Sequence, residues 1–396
     1  MSVTLRYSEG STRWSRRCFG LPQHDTAGFF LALGVLAFKL IYEPRTMKRL
    51  LIQPAHADLE TDRTIAALTH RGGDVIALRQ DSPASPMIDL LNLRKRIRRY
   101  DIVHAFGGPA LAVAVGATNR PVVFSPIGFP TRSLIAWVRA VCAYRHIDIA
   151  CSSDAARRAM VTRGVPIDRT HLVRPGVNLS TIPTGRNTEL RTRLGFSDSD
   201  SVLFCPLEIT HTSGHRAAIW AASILSIIRP QYKLLLWGRG PASEAMNDLR
   251  TRVLDSSIIR FATDLDPTIE VEPLFAVADA VLLTPASPIP TLPVAMAMAS
   301  SKPIVATVTT QLCELLEDRH TALLVNGFTP RVIGHRIMDL FADTHLAWQL
   351  HDRARAEVYD HLTQAKFIEL FRQLYERVAG SNQLTDSPTL SNPSLA

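Results

Sequence analysis

From Met47 onward, short apolar runs alternate with longer stretches whose apolar residues recur every three or four positions. The short runs fit strands and the longer, one-sided stretches fit helices. Strands are expected at Arg49–Gln53, Asp74–Ala77, Ile102–Ala105, Val122–Ser125, Ile147–Ala150 and His171–Val173. Helices are expected between them, at Glu60–His70, Pro86–Arg99, Ala110–Ala117, Ser133–Tyr144 and Asp154–Gly164. Strand and helix in turn imply a parallel sheet covered on both faces.

A polar, turn-rich stretch, "NLSTIPTGRNTELRTRLGFSDSDS", then interrupts the alternation and reads as an interdomain linker with the lead-in to a second domain. Strands resume at Val202–Cys205, Lys233–Trp237, Ile258–Phe261, Ala280–Leu283, Ile304–Thr307 and Ala322–Val325. Helices accompany them at His215–Ile228, Ala242–Val253, Val294–Ser300 and Arg331–Asp343. Two closing helices follow, Leu346–Tyr359 and Ala365–Val378, the last expected to pack back on the first domain. A tail over 381–396 is polar enough to read as disordered. The fold class is therefore α/β, with two Rossmann-like doubly wound parallel-sheet domains, 47–180 and 181–380. They face a cleft, and in such folds ligands bind beyond the carboxyl ends of the strands.

The first 46 residues stand apart. Basic residues lead into an apolar run from Ala27 to Phe38 that Lys39 breaks, short of the ~20 residues that span a bilayer. The segment reads as an extension outside the fold. An upstream start codon, a weak membrane segment and a helix packed in the core remain open as its origin.

At 396 residues, 46% hydrophobic and 20% charged, the chain suits a globular protein of two domains. Its five cysteines form no CxxC pair, which points to reduced thiols in a cytoplasm and away from a structural zinc. A net charge of +8 suits anionic partners. The densest basic cluster is "LLNLRKRIRRY", with Arg94, Lys95, Arg96, Arg98 and Arg99 beside a stripe of Leu90, Leu93 and Ile97. It is either the solvated face of an ordinary helix or a peripheral contact with an anionic membrane. Nucleic acid is not expected, since neither domain carries a helix-turn-helix, zinc-finger or single-strand stacking pattern.

Chemistry concentrates at the junctions. "LLLWGRGPASE" runs a strand through Gly238, Arg239 and Gly240 into a helix, where glycines admit a phosphate and a helix start offers N–H groups; an ordinary turn fits as well. In "EITHTSGHRAAIW", Ser213 fits an N-cap, Gly214 a close approach, and Arg216 is the cation of the first helical turn. Glu208, His211 and His215 lie nearby, yet no further acid or cysteine joins them, so no metal is expected. His104 ends a strand before Gly107 and Gly108, a place for an acid, a base or a packed side chain.

In this order the chain resembles the retaining glycosyltransferases of the GT-B fold, the large group 1 or family 4 class. The phrases that carry the resemblance are "DIVHAF" (Asp101–Phe106), "SDAARRAMVTRGVP" (Ser153–Pro166), "LVRPGVN" (Leu172–Asn178), "GRGP", "ADAVLLTP" (Ala278–Pro285), "MAMASSKPIVAT" (Met296–Thr307) and "LYERV". The resemblance implies an acceptor site in the first domain and a nucleotide-sugar site in the second. It implies UDP-, GDP- or ADP-linked donors, a glycan, lipid-linked or small-molecule acceptor, and no cofactor or metal. The donor side would comprise Ser213, Gly214, Arg216, Gly238, Arg239, Gly240, Ser287 and Thr291, with His104 the catalytic candidate.

The sequence departs from that family where charge is expected. Ser213 stands where the family places a lysine, Glu208 near its arginine, Met296 at the second of its paired glutamates and Pro288 near the first. "AHADLETD" replaces the glycine-rich loop after the first strand, and Phe106 replaces a second histidine. From Ala280 to Cys313 there is no acid at all, although the chain holds 36. Losing one well-placed electrostatic donor costs ~10²–10³ in rate, and Glu208 is expected to repel a diphosphate. Arg216 and Arg239 would have to converge on the glycine turn to compensate. Two readings follow: a transferase with a rearranged donor site, or a catalytically impaired relative that binds a ligand or partner.

Overall fold

The computed structural model describes residues 47–70, 72–78, 93–253 and 256–385. The extension 1–46 and the first half of the helix expected at Pro86–Arg99 lie outside them. The described residues from Lys48 onward form one compact unit.

Its first half is a parallel sheet of six strands: β1 (Arg49–Gln53), β2 (Gly73–Ala77), β3 (Ile102–Phe106), β4 (Val122–Ser125), β5 (Ile147–Cys151) and β6 (Thr170–Leu172). Their spatial order is β2-β1-β3-β4-β5-β6. Helices α1 (Leu59–Thr69), α2 (Gly107–Ala117), α3 (Arg132–Tyr144) and α4 (Asp154–Val161) connect them. Strands β3 and β5 are buried at every position. This is why they read as unbroken apolar runs rather than alternating ones. Helix α2 begins three residues before its expected start. Gly107 adopts φ 78°, a left-handed turn that carries β3 directly into the helix.

The second half repeats the plan with β7 (Ser201–Cys205), β8 (Tyr232–Leu236), β9 (Ile259–Phe261), β10 (Ala280–Leu283), β11 (Ile304–Thr307) and β12 (Leu323–Val325), in the order β12-β11-β10-β7-β8-β9. A short helix α5 (Thr188–Arg193) leads in, inside the stretch expected to be linker. Its Arg191 is 1% exposed and donates to the carbonyls of Val277 (2.7 Å) and Ser197 (3.0 Å) and to Asp279 (3.1 Å). The polar look of the lead-in thus hides an internal tie. Then come α6 (His215–Ile228), α7 (Ser243–Arg252), α8 (Leu292–Ala299), α9 (Pro330–Ala342), α10 (Thr344–His361) and α11 (Gln364–Thr385). Helix α8 is buried on all eight residues. A helix enclosed on every side is apolar all round, which accounts for much of the acid-free run from Ala280 to Cys313.

The chain crosses between the halves twice, side by side. Val177 N–H donates to the Leu362 carbonyl (2.8 Å) and Gln364 N–H to the Val177 carbonyl (3.0 Å). From there α11 returns to the first half as expected, laying Phe371 and Tyr375 against His104. It continues to Thr385, so residues 381–385 are helical where a disordered tail was expected.

The crossing leaves no room at Gly176. A Cβ there would fall 2.5 Å from Phe367 Cβ and 2.7 Å from the Thr363 carbonyl oxygen. Gly176→Ala is expected to cost about 1–3 kcal/mol in urea unfolding through overpacking, with Gly185→Ala, whose added Cβ meets nothing within 4 Å, as the neutral control.

Candidate active site

Each sheet reverses its winding once, between β1 and β3 in the first half and between β7 and β10 in the second. Crevices form at such reversals, outside the carboxyl ends of the strands. Here the loops leaving β1, β4, β7 and β10 surround a cleft of about 550 Å³. Asp58, Phe129, Glu208, Thr212, Ser213 and Ser287 line it, together with the Pro288–Pro290 loop. No lysine or arginine is among its lining residues.

Two of these loops are stitched to each other. Gly214 has φ 78°, and a Cβ there would fall 1.6 Å from the Thr284 carbonyl oxygen. The Thr284 hydroxyl donates to the Gly214 carbonyl (2.9 Å), and Ala286 N–H donates to the Thr212 carbonyl (3.0 Å). Ser213 is buried; its hydroxyl accepts from Thr210 N–H (3.0 Å) and lies 2.6 Å from His215 Nδ1. Gly214 and Ser213 therefore shape the wall.

The glycine turn after β8 is filled by the chain itself. A Cβ at Gly240 would meet the Ile209 carbonyl oxygen at 2.3 Å, and one at Gly238 would meet Thr263 Oγ1 at 2.1 Å. Ile209 N–H donates to the Arg239 carbonyl at 2.6 Å. The close approach that those glycines permit is made by the loop after β7. Arg239 turns outward, with its guanidinium 5.2 Å from the Trp237 ring centroid and a bond to the Pro267 carbonyl at 3.4 Å. Arg216 is exposed on the first turn of α6 and bonds to no described residue. Arg239 is thus engaged with Trp237 and Pro267, and Arg216 makes no bond to the glycine turn.

His104 also differs from its expected role. It is fully buried, with Nδ1 2.7 Å from the Tyr375 hydroxyl and Nε2 2.8 Å from the Ser125 hydroxyl. Burial, then the Arg49 charge, lowers its pKa to about 3. A neutral ring with both nitrogens engaged and no exposed surface packs α11 onto the sheet; it offers no free nitrogen to the cleft.

The carboxylates were the least legible part. Glu208 is not an unpaired charge: its Oε1 accepts from Leu59 N–H (2.9 Å) at the start of α1. Glu60, in the first turn of α1, reaches the opposite way. Its Oε2 accepts from Thr291 N–H (2.7 Å) and Leu292 N–H (2.8 Å) at the start of α8, and from the Thr291 hydroxyl (3.3 Å). Glu314 accepts from Asp154 N–H (2.7 Å) and Ala155 N–H (2.6 Å) at the start of α4. Arg63 of α1 adds a fork onto Glu272 (2.9 and 3.0 Å) and a bond to Glu270 (2.9 Å). Burial raises the Glu60 and Glu208 carboxyls above the ordinary range, and Asp58 adds to it in both. The N–H bonds oppose that shift. Nothing local in the sequence marks these pairs, whose members lie far apart in the chain.

Met296 does not face this cleft. It is 3% exposed and borders a second cavity of about 460 Å³, shared with Arg63, Gly176 and Glu272 on the side of the crossing strands. Among the described residues, no group of three or more His, Cys, Asp or Glu is arranged to hold a metal ion.

Two outcomes follow from these environments. Burial also lowers the His215 pKa, to about 4. A histidine with a depressed folded pKa contributes stability above its unfolded value near 6.5 and loses it as pH falls through that value toward the folded one. Urea unfolding should therefore show about 2 kcal/mol less stability from His104 alone at pH 5 than at pH 7; in His104→Gln that part of the slope should be absent. Equal slopes would show that His104 is not the titrating group. At Glu208 the raised pKa means that the charge opposes folding at neutral pH, while the acceptor oxygen caps α1. Glu208→Gln should thus hold or raise the Tm, and Glu208→Ala should cost about 1 kcal/mol for the lost cap.

Comparison with known proteins agrees with this geometry. Residues 208–343 match the family model described as glycosyl transferases group 1. A D-inositol 3-phosphate glycosyltransferase of Pseudarthrobacter chlorophenolicus is 29% identical over 197 residues, 48% of this chain and 47% of that protein, so the match spans about half of the relative's length. Among solved structures, Anabaena HepE in complex with UDP and glucose superposes with a TM-score of 0.71 at 16% identity, over 83% of this chain and 99% of that one. Sucrose-phosphate synthase of Thermosynechococcus elongatus does so at 0.67 and 15% identity, over 85% of this chain and 100% of that one. The two facing α/β halves have the GT-B fold of these neighbours, and residues 208–343 of the second domain carry the similarity to the group 1 glycosyltransferases.

Proposed function

We propose that the protein transfers a sugar from a nucleotide-sugar donor to a hydroxylated acceptor, the donor held by the second domain and the acceptor by the first. The observation that carries the reading is the meeting of loops from the carboxyl ends of both sheets, including those at the β7/β10 switch point, in one cleft. It is supported by the family match over the second domain and by a GT-B neighbour solved with UDP and glucose. In this reading Thr212 and Ser287 present hydroxyls to the sugar, and the Gly214 turn sets the wall against which the donor lies. Arg216, on the first turn of α6, is the cation assigned to the diphosphate, and no metal takes part.

The exposed residues Arg94, Lys95, Arg96, Arg98 and Arg99 precede β3, at the opposite end of the strands from the cleft. A peripheral contact with an anionic membrane there would leave the cleft mouth open to solvent. Among the described residues, no helix is long and apolar enough to cross a membrane.

Calorimetry of the full chain with UDP, GDP and ADP tests the reading. At least one should bind, and should stabilise the fold by about 2–3 kcal/mol at a hundredfold excess over Kd. Arg216→Ala should weaken that binding about tenfold or more, the loss of one charge-assisted contact. Absence of binding by all three nucleotides would overturn the proposal.

A further inference from the structure

Three helices that border the domain boundary each meet a glutamate from the opposite domain at their first turn. Helix α1 of the first domain is met by Glu208, α4 of the first domain by Glu314, and α8 of the second domain by Glu60. The five backbone N–H bonds involved measure 2.6–2.9 Å. First-turn N–H groups have no partner within their own helix and carry the positive end of its dipole, so a carboxylate there is held by charge-assisted bonds.

The bonds run in both directions across the boundary. Glu60 projects from the first domain, while Glu208 and Glu314 project from the second. Helix α1 belongs to both sets: it receives Glu208 at Leu59 and, one residue later, sends Glu60 to α8. Arg63, one turn on, holds Glu270 and Glu272. A rotation that parts the domains by a few ångströms would break all of these contacts together, because a hydrogen bond does not survive such a separation.

We infer that Glu60, Glu208 and Glu314 form an autoinhibitory clasp that ties the two domains together across the cleft, with α1 as its hub and Glu60 covering the start of α8. Ligand entry requires Glu60 to withdraw from α8. The clasp stands on the geometry alone; its competition with a phosphate-bearing ligand rests on the donor reading above.

Double electron–electron resonance on the full chain, with spin labels at Ala143→Cys and His345→Cys in a Cys18→Ser/Cys313→Ser background, reports the separation of the two domains without ligand. Wild-type glutamates should give one narrow distance distribution. The Glu60→Ala/Glu208→Ala/Glu314→Ala chain should give a broader one shifted to a different mean separation. If that chain fails to fold, Glu60→Ala/Glu314→Ala, which leaves Glu208 in place on α1, should broaden the distribution in the same sense. An unchanged distribution in a folded variant overturns the clasp. Calorimetry with UDP supplies the second arm: Glu60→Ala should raise affinity about fivefold or more, since the open form no longer has to be drawn from a minor population. Unchanged or weaker UDP binding by Glu60→Ala overturns the competition. A clasp that opens in the first arm, with no UDP binding by any chain in the second, stands as a clasp and refutes the donor reading instead.

Discussion

A helix that starts inside a protein brings N–H groups that the helix cannot satisfy, and burying them unpaired costs on the order of 1–3 kcal/mol each. Helices α1, α4 and α8 all start against the boundary between the two sheets. Asp58 and Ser153 cap α1 and α4 from the preceding residue, and each of the two then takes a glutamate from across the boundary as well. Helix α8 has no such side-chain cap of its own, since Thr291 makes none, and Glu60 fills that place alone. These bonds join the two domains alongside apolar packing that also crosses the boundary, with Leu59 and Val177 buried in the core of the second half.

The same requirement explains the chemistry of the cleft. An acid-free loop and helix, from the end of β10 to β11, would leave a strong anion-seeking helix start, and the acid arrives from α1. The glycine turn after β8, which a sequence reader assigns to phosphate, is instead packed by Ile209. What faces the cavity is hydroxyls, proline edges, Phe129 and two carboxylates, with the cations set back from it.

The strands and their repetition were legible because a parallel sheet enclosed by helices demands unbroken apolar runs, and ten-residue amphipathic stretches between them leave few alternatives. Boundaries slipped where local rules compete. Gly107 begins α2 early through its positive φ, and α5 hid in a polar lead-in because Arg191 spends its charge on internal carbonyls. The site was read less well, for a consistent reason. His104, Glu208, Gly238 and Gly240 each have the residue type that a catalytic or phosphate-binding position would have. What separates the two uses is the partner: Tyr375, Leu59, Thr263 and Ile209 respectively. All four partners lie well removed in sequence, and composition and spacing carry no trace of them.

A crystal structure of the full chain grown with UDP bears most directly on the whole account. Density for the diphosphate between the Thr212–Arg216 turn and the start of α8, with Glu60 withdrawn from Thr291 and Leu292, is the outcome that sugar transfer through this cleft requires. A nucleotide bound elsewhere, or bound in the cleft with Glu60 still seated on α8, would contradict it.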